Sequence, residues 1–190
     1  MILVVGLGNP GPRYTVTRHN VGYMVVDRLL SQGAVGPTWR VDGDGLRSDV
    51  TLGQAPAVLL KPTTFMNGSG RAVAPLATFY KLAGEQLIVV HDELDLPFGR
   101  VRVKYGGGDG GHRGLRSITG ALGTNQYLRV RAGIGRPSAI FQGDISDFVL
   151  QAFAPSEGDE LAKLLDRAAQ AVSLIAERGS AEAMKVINQS

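Results

Sequence analysis

The chain has 190 residues, 44% of them hydrophobic and 19% charged, which suits one folded domain and excludes a disordered chain. It contains no Cys, which excludes disulfides, thiolate metal sites and a thiol nucleophile, and its 3 His are too few for a His-rich metal centre. Lys and Arg number 20 against 17 Asp and Glu, and a net charge of +3 is only weak support for a polyanionic partner.

The chain opens on a strand-like run, Ile2–Val5 closed by Gly6. It lacks the charged-then-apolar layout of a signal peptide, so a cytosolic protein is expected. Gly8–Arg13 is rich in Gly and Pro and reads as a loop. Val21, Met24, Val25 and Leu29 then trace one face of a helix that begins near His19 and is ended by Gly33–Pro37. Thr38–Gly53 shows no clear period beyond a hairpin-like Gly43-Asp44-Gly45. Ala57–Leu60 predicts a short buried strand closed by Lys61-Pro62, Ser69–Tyr80 a helix despite Pro75, and Leu87–Val90 a core strand far too short to span a bilayer. Val101–Tyr105 alternates, Gly106–Gly111 is a flexible loop, and His112–Leu122 is a helix with Leu115, Ile118 and Leu122 facing inward. Arg129–Ile134 alternates again, and Leu161, Leu164, Leu165, Ala168, Val172 and Ile175 mark one face of a long late helix. Strands interleaved with helices predict an α/β domain with helices packed on a sheet.

Gly6-Leu-Gly8-Asn-Pro-Gly11 after a strand matches the dinucleotide-binding pattern. That pattern needs a helix starting inside it, with its N–H groups aimed at pyrophosphate, and an acidic residue about 20 positions on. Here Pro10 and Pro12 occupy the turn, and Gln32 and Gly33 stand where the acid belongs. A rigid loop presenting Asn9 at the carboxyl end of a central strand is the better reading, since open α/β sheets form their ligand crevice there.

Three more segments place polar groups beyond strands or at helix starts: Thr17-Arg18-His19-Asn20, Thr64-Phe65-Met66-Asn67 and His91-Asp92-Glu93. An imidazole beside a carboxylate makes a general base, and amide side chains can donate to an oxygen that gains negative charge. By itself this pattern leaves capping or packed histidines as open as catalytic ones.

Longer stretches resolve the choice. Val5-Gly-Leu-Gly-Asn-Pro-Gly11, Tyr14, Thr17-Arg-His-Asn20, Lys61-Pro-Thr-Thr-Phe-Met-Asn67, His91-Asp-Glu-Leu-Asp-Leu-Pro97, Gly107-Gly-Asp-Gly-Gly-His112 and Arg129-Val-Arg-Ala-Gly-Ile-Gly135 resemble, in order and over almost the whole chain, the bacterial peptidyl-tRNA hydrolases. The resemblance implies a single domain over residues 1–190, a twisted mixed β-sheet surrounded by helices, and a monomer without metal or organic cofactor. It implies hydrolysis of the ester between a peptide and the terminal adenosine of tRNA, with no membrane and no obligate protein partner. Carried over position by position, His19 resembles the proton acceptor and Asp92 the group that keeps it basic. Asn9 resembles the residue that senses a blocked amino group, and Asn67 the one that holds substrate near the ester, with Phe65 and Met66 as walls. Tyr14 resembles a contact to the tRNA end. Core packing is the alternative for Phe65 and Met66, and a helix cap is the alternative for His112. From these motifs, loss of His19 is the severe lesion and Asp92→Asn a milder one.

Arg102 and Lys104 share one side of a strand with Arg100, and Arg129 and Arg131 repeat the arrangement. Ordinary strand solubility would explain such stripes. The family resemblance assigns Arg102, Lys104 and Arg131 to the tRNA acceptor end, where contacts position RNA without reading its sequence. One departure stands out: Asn usually follows the His of Gly-Gly-His, and here that position is Arg113. Arg113 is expected to contact a phosphate or ribose, with a solvated bystander as the alternative. Plant splicing proteins that resemble this family provide a rival reading as an RNA-binding module, against which His19, Asp92, Asn9 and Asn67 stand together.

Overall fold

A computed structural model describes residues 1–33 and 38–189; residues 34–37, with which the first predicted helix was to end, lie outside them. Seven strands form one mixed sheet: β1 (Ile2–Gly6), β2 (Arg40–Asp42), β3 (Gly45–Leu52), β4 (Ala55–Pro62), β5 (Leu87–Glu93), β6 (Val101–Tyr105) and β7 (Leu128–Gly133). Their order is β2-β3-β4-β1-β5-β7-β6. β4, β1, β5 and β7 run parallel, while β2, β3 and β6 are antiparallel to their neighbours. Helices α1 (Val21–Gln32), α2 (Gly70–Phe79), α3 (Arg113–Leu122), α4 (Ile145–Val149), α5 (Gly158–Arg178) and α6 (Ser180–Ile187) cover it. The α/β reading with a mixed sheet holds. No described helix is long and apolar enough to cross a membrane.

The parallel strands are apolar on both faces because helices cover both. Val4, Ile88, Val90, Leu128 and Val130 pack against α1, α5 and α6, and Leu3, Val5, Leu87 and Val89 against α2 and α3. Each such fully buried Val, Leu or Ile contributes about 1.5–3 kcal/mol of transfer free energy. Alternation then decides direction at the end of β5: Asp92 continues the first parity, and His91 and Glu93 the second.

The helices α1 and α2 leave the sheet toward opposite faces from the adjacent strands β1 and β4, and the chain crosses from β4 to β5 on the far side of β1. That is a switch point, and a crevice opens outside the strands' carboxyl ends there. α1 starts only at Val21, well past Gly11, and only a short 3₁₀ turn, Pro12–Tyr14, follows the glycine pattern, so no α-helix N-terminus lies inside it. Gly6 serves a different end. A Cβ on it would meet the Gly22 carbonyl oxygen at 2.3 Å, so a glycine pair lets the start of α1 lie directly on β1.

Two elements run longer than their sequence signal. β4 continues through Lys61-Pro62, where Pro62 sits opposite Gly45 at the end of the β3 ladder. β5 continues through His91-Asp92-Glu93, because β7 pairs with it as far as Gly133. The short α4 carries no periodicity of its own; Asp144 and Asp147 form a reciprocal cap at its start. The free side of β6 is met by Asn188, whose amide accepts from the Val103 N–H (2.8 Å) and donates to its carbonyl (2.9 Å).

Candidate active site

Three parallel strands deliver the polar groups. Asn9 follows β1, Asn67 lies in a 3₁₀ turn after β4, and Asp92 is on the last turn of pairing in β5. His19 comes from a 3₁₀ turn, Arg18–Asn20, that leads into α1.

Asp92, 4% exposed, is the centre. Its Oδ2 accepts from His19 Nδ1 (2.8 Å) and its Oδ1 from His112 Nε2 (2.7 Å). The His112 tautomer follows from its other nitrogen. Nδ1 caps α3 by accepting from the Gly114 N–H (3.2 Å) and the Leu115 N–H (3.5 Å), so the proton must be on Nε2. His112 is therefore both a cap and a ligand of the carboxylate. Burial opposes the charge on Asp92, but the two imidazoles and their hydrogen bonds hold its carboxyl well below the usual range.

His19 then carries its proton on Nδ1, toward Asp92, and Nε2 has no hydrogen-bond partner among the described residues. Burial lowers the affinity of the imidazole for a second proton. The Asp92 charge and hydrogen bond outweigh that and raise its pKa above 6.5, while Arg113 pulls the other way. The third imidazole is inert: burial, then the neighbouring His112, lowers His91 to about 4, and its Nδ1–H is spent on the Asp92 carbonyl (2.8 Å). His19, Asp92 and His112 bring three ligand-type atoms within 4.8 Å. Because His112 Nε2 is protonated and both carboxylate oxygens accept, this set is arranged for holding and moving protons.

The amides are oriented just as firmly. Asn20, fully buried, accepts from the Asn9 N–H (2.8 Å) and donates to its carbonyl (3.0 Å), clamping that loop. Asn9 Oδ1 accepts from the Met66 N–H (2.8 Å), which leaves Nδ2 of Asn9 to donate. The exposed Asn67 side chain makes no hydrogen bond to the described protein. Met66 resolves its two readings by filling both: it packs with the α2 and α3 core and lines the cleft. Phe65 is 59% exposed, a wall and not core, and Tyr14 meets it edge-on at 6.2 Å.

Asn9, His19, Phe65, Met66, Asn67, Asp92 and Arg113 all line one cavity of about 470 Å³, closed on one side by Ile145, Val149 and Leu150 of the α4 region. Arg113 is exposed at the start of α3. Tyr14, Arg102, Lys104 and Arg131 lie outside the cavity lining. β6 and β7 set Arg102 opposite Arg131 and Lys104 opposite Arg129. Like charges so placed repel. Arg131 is relieved by Glu93, which lines the cavity (2.8 Å). Arg129 departs from the sequence reading of a second free stripe: it is buried, its guanidinium donates to the Gly107 and Gly108 carbonyls, and it lies over Tyr127. It holds the glycine loop in place of a phosphate. Lys104 is exposed and has no ion-pair partner among the described residues.

An α/β protein that gathers a carboxylate-held imidazole and free amide donors in one cleft, beside a cationic pair of strands, is an enzyme of the hydrolytic class. A model of the peptidyl-tRNA hydrolase family matches residues 3–190, and the chain belongs to that family. The peptidyl-tRNA hydrolase of Citrifermentans bemidjiense is 50% identical over 186 residues, 98% of this chain and 97% of that protein. That of Mycolicibacterium smegmatis is 46% identical over 189 residues, covering 98% and 97%. The crystal structure of peptidyl-tRNA hydrolase from Acinetobacter baumannii superposes with a TM-score of 0.90 at 37% identity, covering 100% of this chain and 95% of that one.

Proposed function

We propose that this chain recycles tRNA by cutting the ester between a peptide and the terminal adenosine through direct attack of water, with His19 Nε2 as general base. The observation that carries the reading is the Asp92 carboxylate shared by two imidazoles, which fixes the free lone pair of His19 on the cavity side. Water gives its proton to Nε2 and its oxygen to the ester carbonyl; the imidazolium is stabilised by Asp92 and returns the proton to the leaving ribose oxygen. Asn67 donates to the ester as charge builds on its oxygen. Asn9 presents Nδ2 as its donor, because its oxygen is turned to the Met66 N–H. That donor suits a substrate whose amino group has become an amide with a carbonyl oxygen better than one with a free ammonium, which can only donate. A single domain over 1–190, acting as a monomer in the cytoplasm without cofactor, completes the reading.

The test is incubation with N-acetylated and with free aminoacyl-tRNA. Rapid deacylation of the first and not the second is expected. Tight binding without turnover of either would return the chain to the RNA-binding modules.

We place the acceptor end of tRNA along Arg102, Lys104 and Arg131, with Tyr14 and Phe65 at the cleft rim. Lys104→Ala should weaken all tRNAs alike and reduce the slope of log affinity against log salt by about 1, through one counterion fewer released. An unchanged slope would move the RNA path off this strand pair.

Arg113 supplies a cation to the same cleft. At the first turn of α3 it opposes the helix dipole, so its removal should not cost stability. It also lowers the proton affinity of His19. Arg113→Ala should therefore move the acid limb of kcat to higher pH, leaving less neutral imidazole near pH 6.5, the ordinary His value. It should also raise KM and flatten its salt dependence. If limb and KM both match the unaltered protein, Arg113 is a bystander.

A further inference from the structure

The turn that carries His19 is fastened by a buried cation that takes no part in the chemistry above. Arg18 is 8% exposed. Its NH2 forks onto Glu157 (2.9 and 3.2 Å), its NH1 donates to the Ala152 carbonyl (2.8 Å), and its guanidinium lies between the rings of Phe148 (5.0 Å) and Phe153 (4.9 Å). The backbone adds to the grip. The Arg18 N–H donates to Gln151 O (3.1 Å), the Phe153 N–H to Val16 O (3.1 Å), and Thr17 bridges to Ala152. Glu157 is itself tied by accepting from the Ala154 N–H (2.9 Å).

What Arg18 grips is the stretch that builds one wall of the cleft. Phe148, one face of its aromatic slot, stands in α4 beside Val149, and Val149 and Leu150 line the cavity. The residue next to the imidazole and the wall against which a peptide would lie thus share one anchor. A buried ion pair is weak grounds for stability, since an apolar side chain fills an aromatic slot without desolvation. A guanidinium does something an apolar group cannot: its planar fork and stacked faces fix direction. Displacement of a reacting group by about 1 Å can cost about 100-fold in rate.

We propose that Arg18 is a positioning residue for the hydrolysis, holding the His19 turn and the α4 wall in one register through Glu157, Phe148 and Phe153. This rests on the reading of His19 as general base. The groups that face His19 are Asp92, Arg113 and the His112 ring at 5.0 Å, and Arg18 acts by keeping the first of these aligned.

The test uses the full chain with N-acetylaminoacyl-tRNA, and compares Arg18→Ala, Arg18→Lys and Glu157→Gln with Val172→Ala, a destabilising change in the core under α5. For Arg18→Ala, kcat should fall about 10- to 100-fold with KM changed less than about threefold. Its acid limb should move to lower pH, since a loosened His19 loses part of the Asp92 interaction that raises it. Arg18→Lys keeps the charge without the fork and should recover part of kcat and of the limb, and Glu157→Gln should fall between. Val172→Ala should lower Tm and leave kcat and limb in place. The proposal is overturned if folded Arg18→Ala keeps the unaltered kcat and limb, or if Val172→Ala at matched Tm reproduces both changes. Should Arg18→Ala not fold, unchanged kcat and limb in Arg18→Lys and Glu157→Gln overturn it equally. Failure of the unaltered protein to deacylate the substrate sinks the His19 reading first, an outcome distinct from turnover that ignores Arg18.

Discussion

A His19→Ala protein is expected to fold, to bind tRNA almost normally, and to lose about two to four orders of magnitude in kcat, the usual contribution of a positioned general base. The structure explains why the lesion is separable from folding. His19 sits on a short turn at the cleft, and the apolar packing of α1 begins after it, at Val21. Its removal deprives Asp92 of one hydrogen bond, but Oδ1 keeps its partner in His112. A buried carboxylate that loses one of its partners costs about 1–3 kcal/mol, enough to lower Tm measurably without unfolding a domain of this size. The cations proposed to meet phosphate lie on the separate β6–β7 strand pair. The measurement is single-turnover deacylation alongside a tRNA-binding isotherm and a thermal melt. Turnover near that of the unaltered protein in a folded His19→Ala sample would rule the mechanism out.

Asp92→Asn should be as damaging, for a reason the motifs alone do not contain. A carboxylate can accept from both imidazoles; a carboxamide accepts at one end and donates at the other. His112 settles which end goes where. Its Nδ1 is committed to the α3 N–H groups, so its Nε2 must donate and requires the oxygen. The NH2 of Asn is then turned toward His19 Nδ1, which has to accept. The proton of His19 moves to Nε2, and the lone pair that should receive a proton from water is gone. A loss of about 1,000-fold or more in kcat is expected, with KM little changed. The same argument makes a second outcome specific. In Asp92→Asn combined with His112→Ala, the amide is free to rotate and offer its oxygen to His19, so the double variant should be at least about tenfold faster than Asp92→Asn alone, a non-additivity that only coupled residues produce. A double variant slower than either single one would show that His112 does not govern the orientation.

The two substitutions illustrate how far residue order reaches. His19, Asp92, Asn9 and Asn67 were legible as candidates because motif and strand-end position coincide, and the fold brings all four to the lining of one cavity. The severity expected for Asp92→Asn was not legible. It depends on His112, twenty residues away in the chain, and on the tautomer that a helix terminus imposes. Met66 and Phe65 are neighbours with one apolar character in sequence, yet one is buried and one is exposed. Arg129 and Arg131 share a strand face, yet one is spent on the carbonyls of a glycine loop and the other on Glu93.

By itself, the sequence determined the α/β class, the helices with strong apolar stripes, the central strands and the chemistry on offer, because periodicity and turn residues act over a few positions and are written locally. Only the tertiary structure decided the remainder: how far β5 extends, that α4 exists, that one carboxylate serves two imidazoles, and that Arg18 joins the His19 turn to the stretch from Phe148 to Glu157. Those features are set by pairing between segments distant in sequence. Strand register, helix termini and buried polar groups must be satisfied at once by whatever the fold brings near, and no local pattern encodes which group that will be.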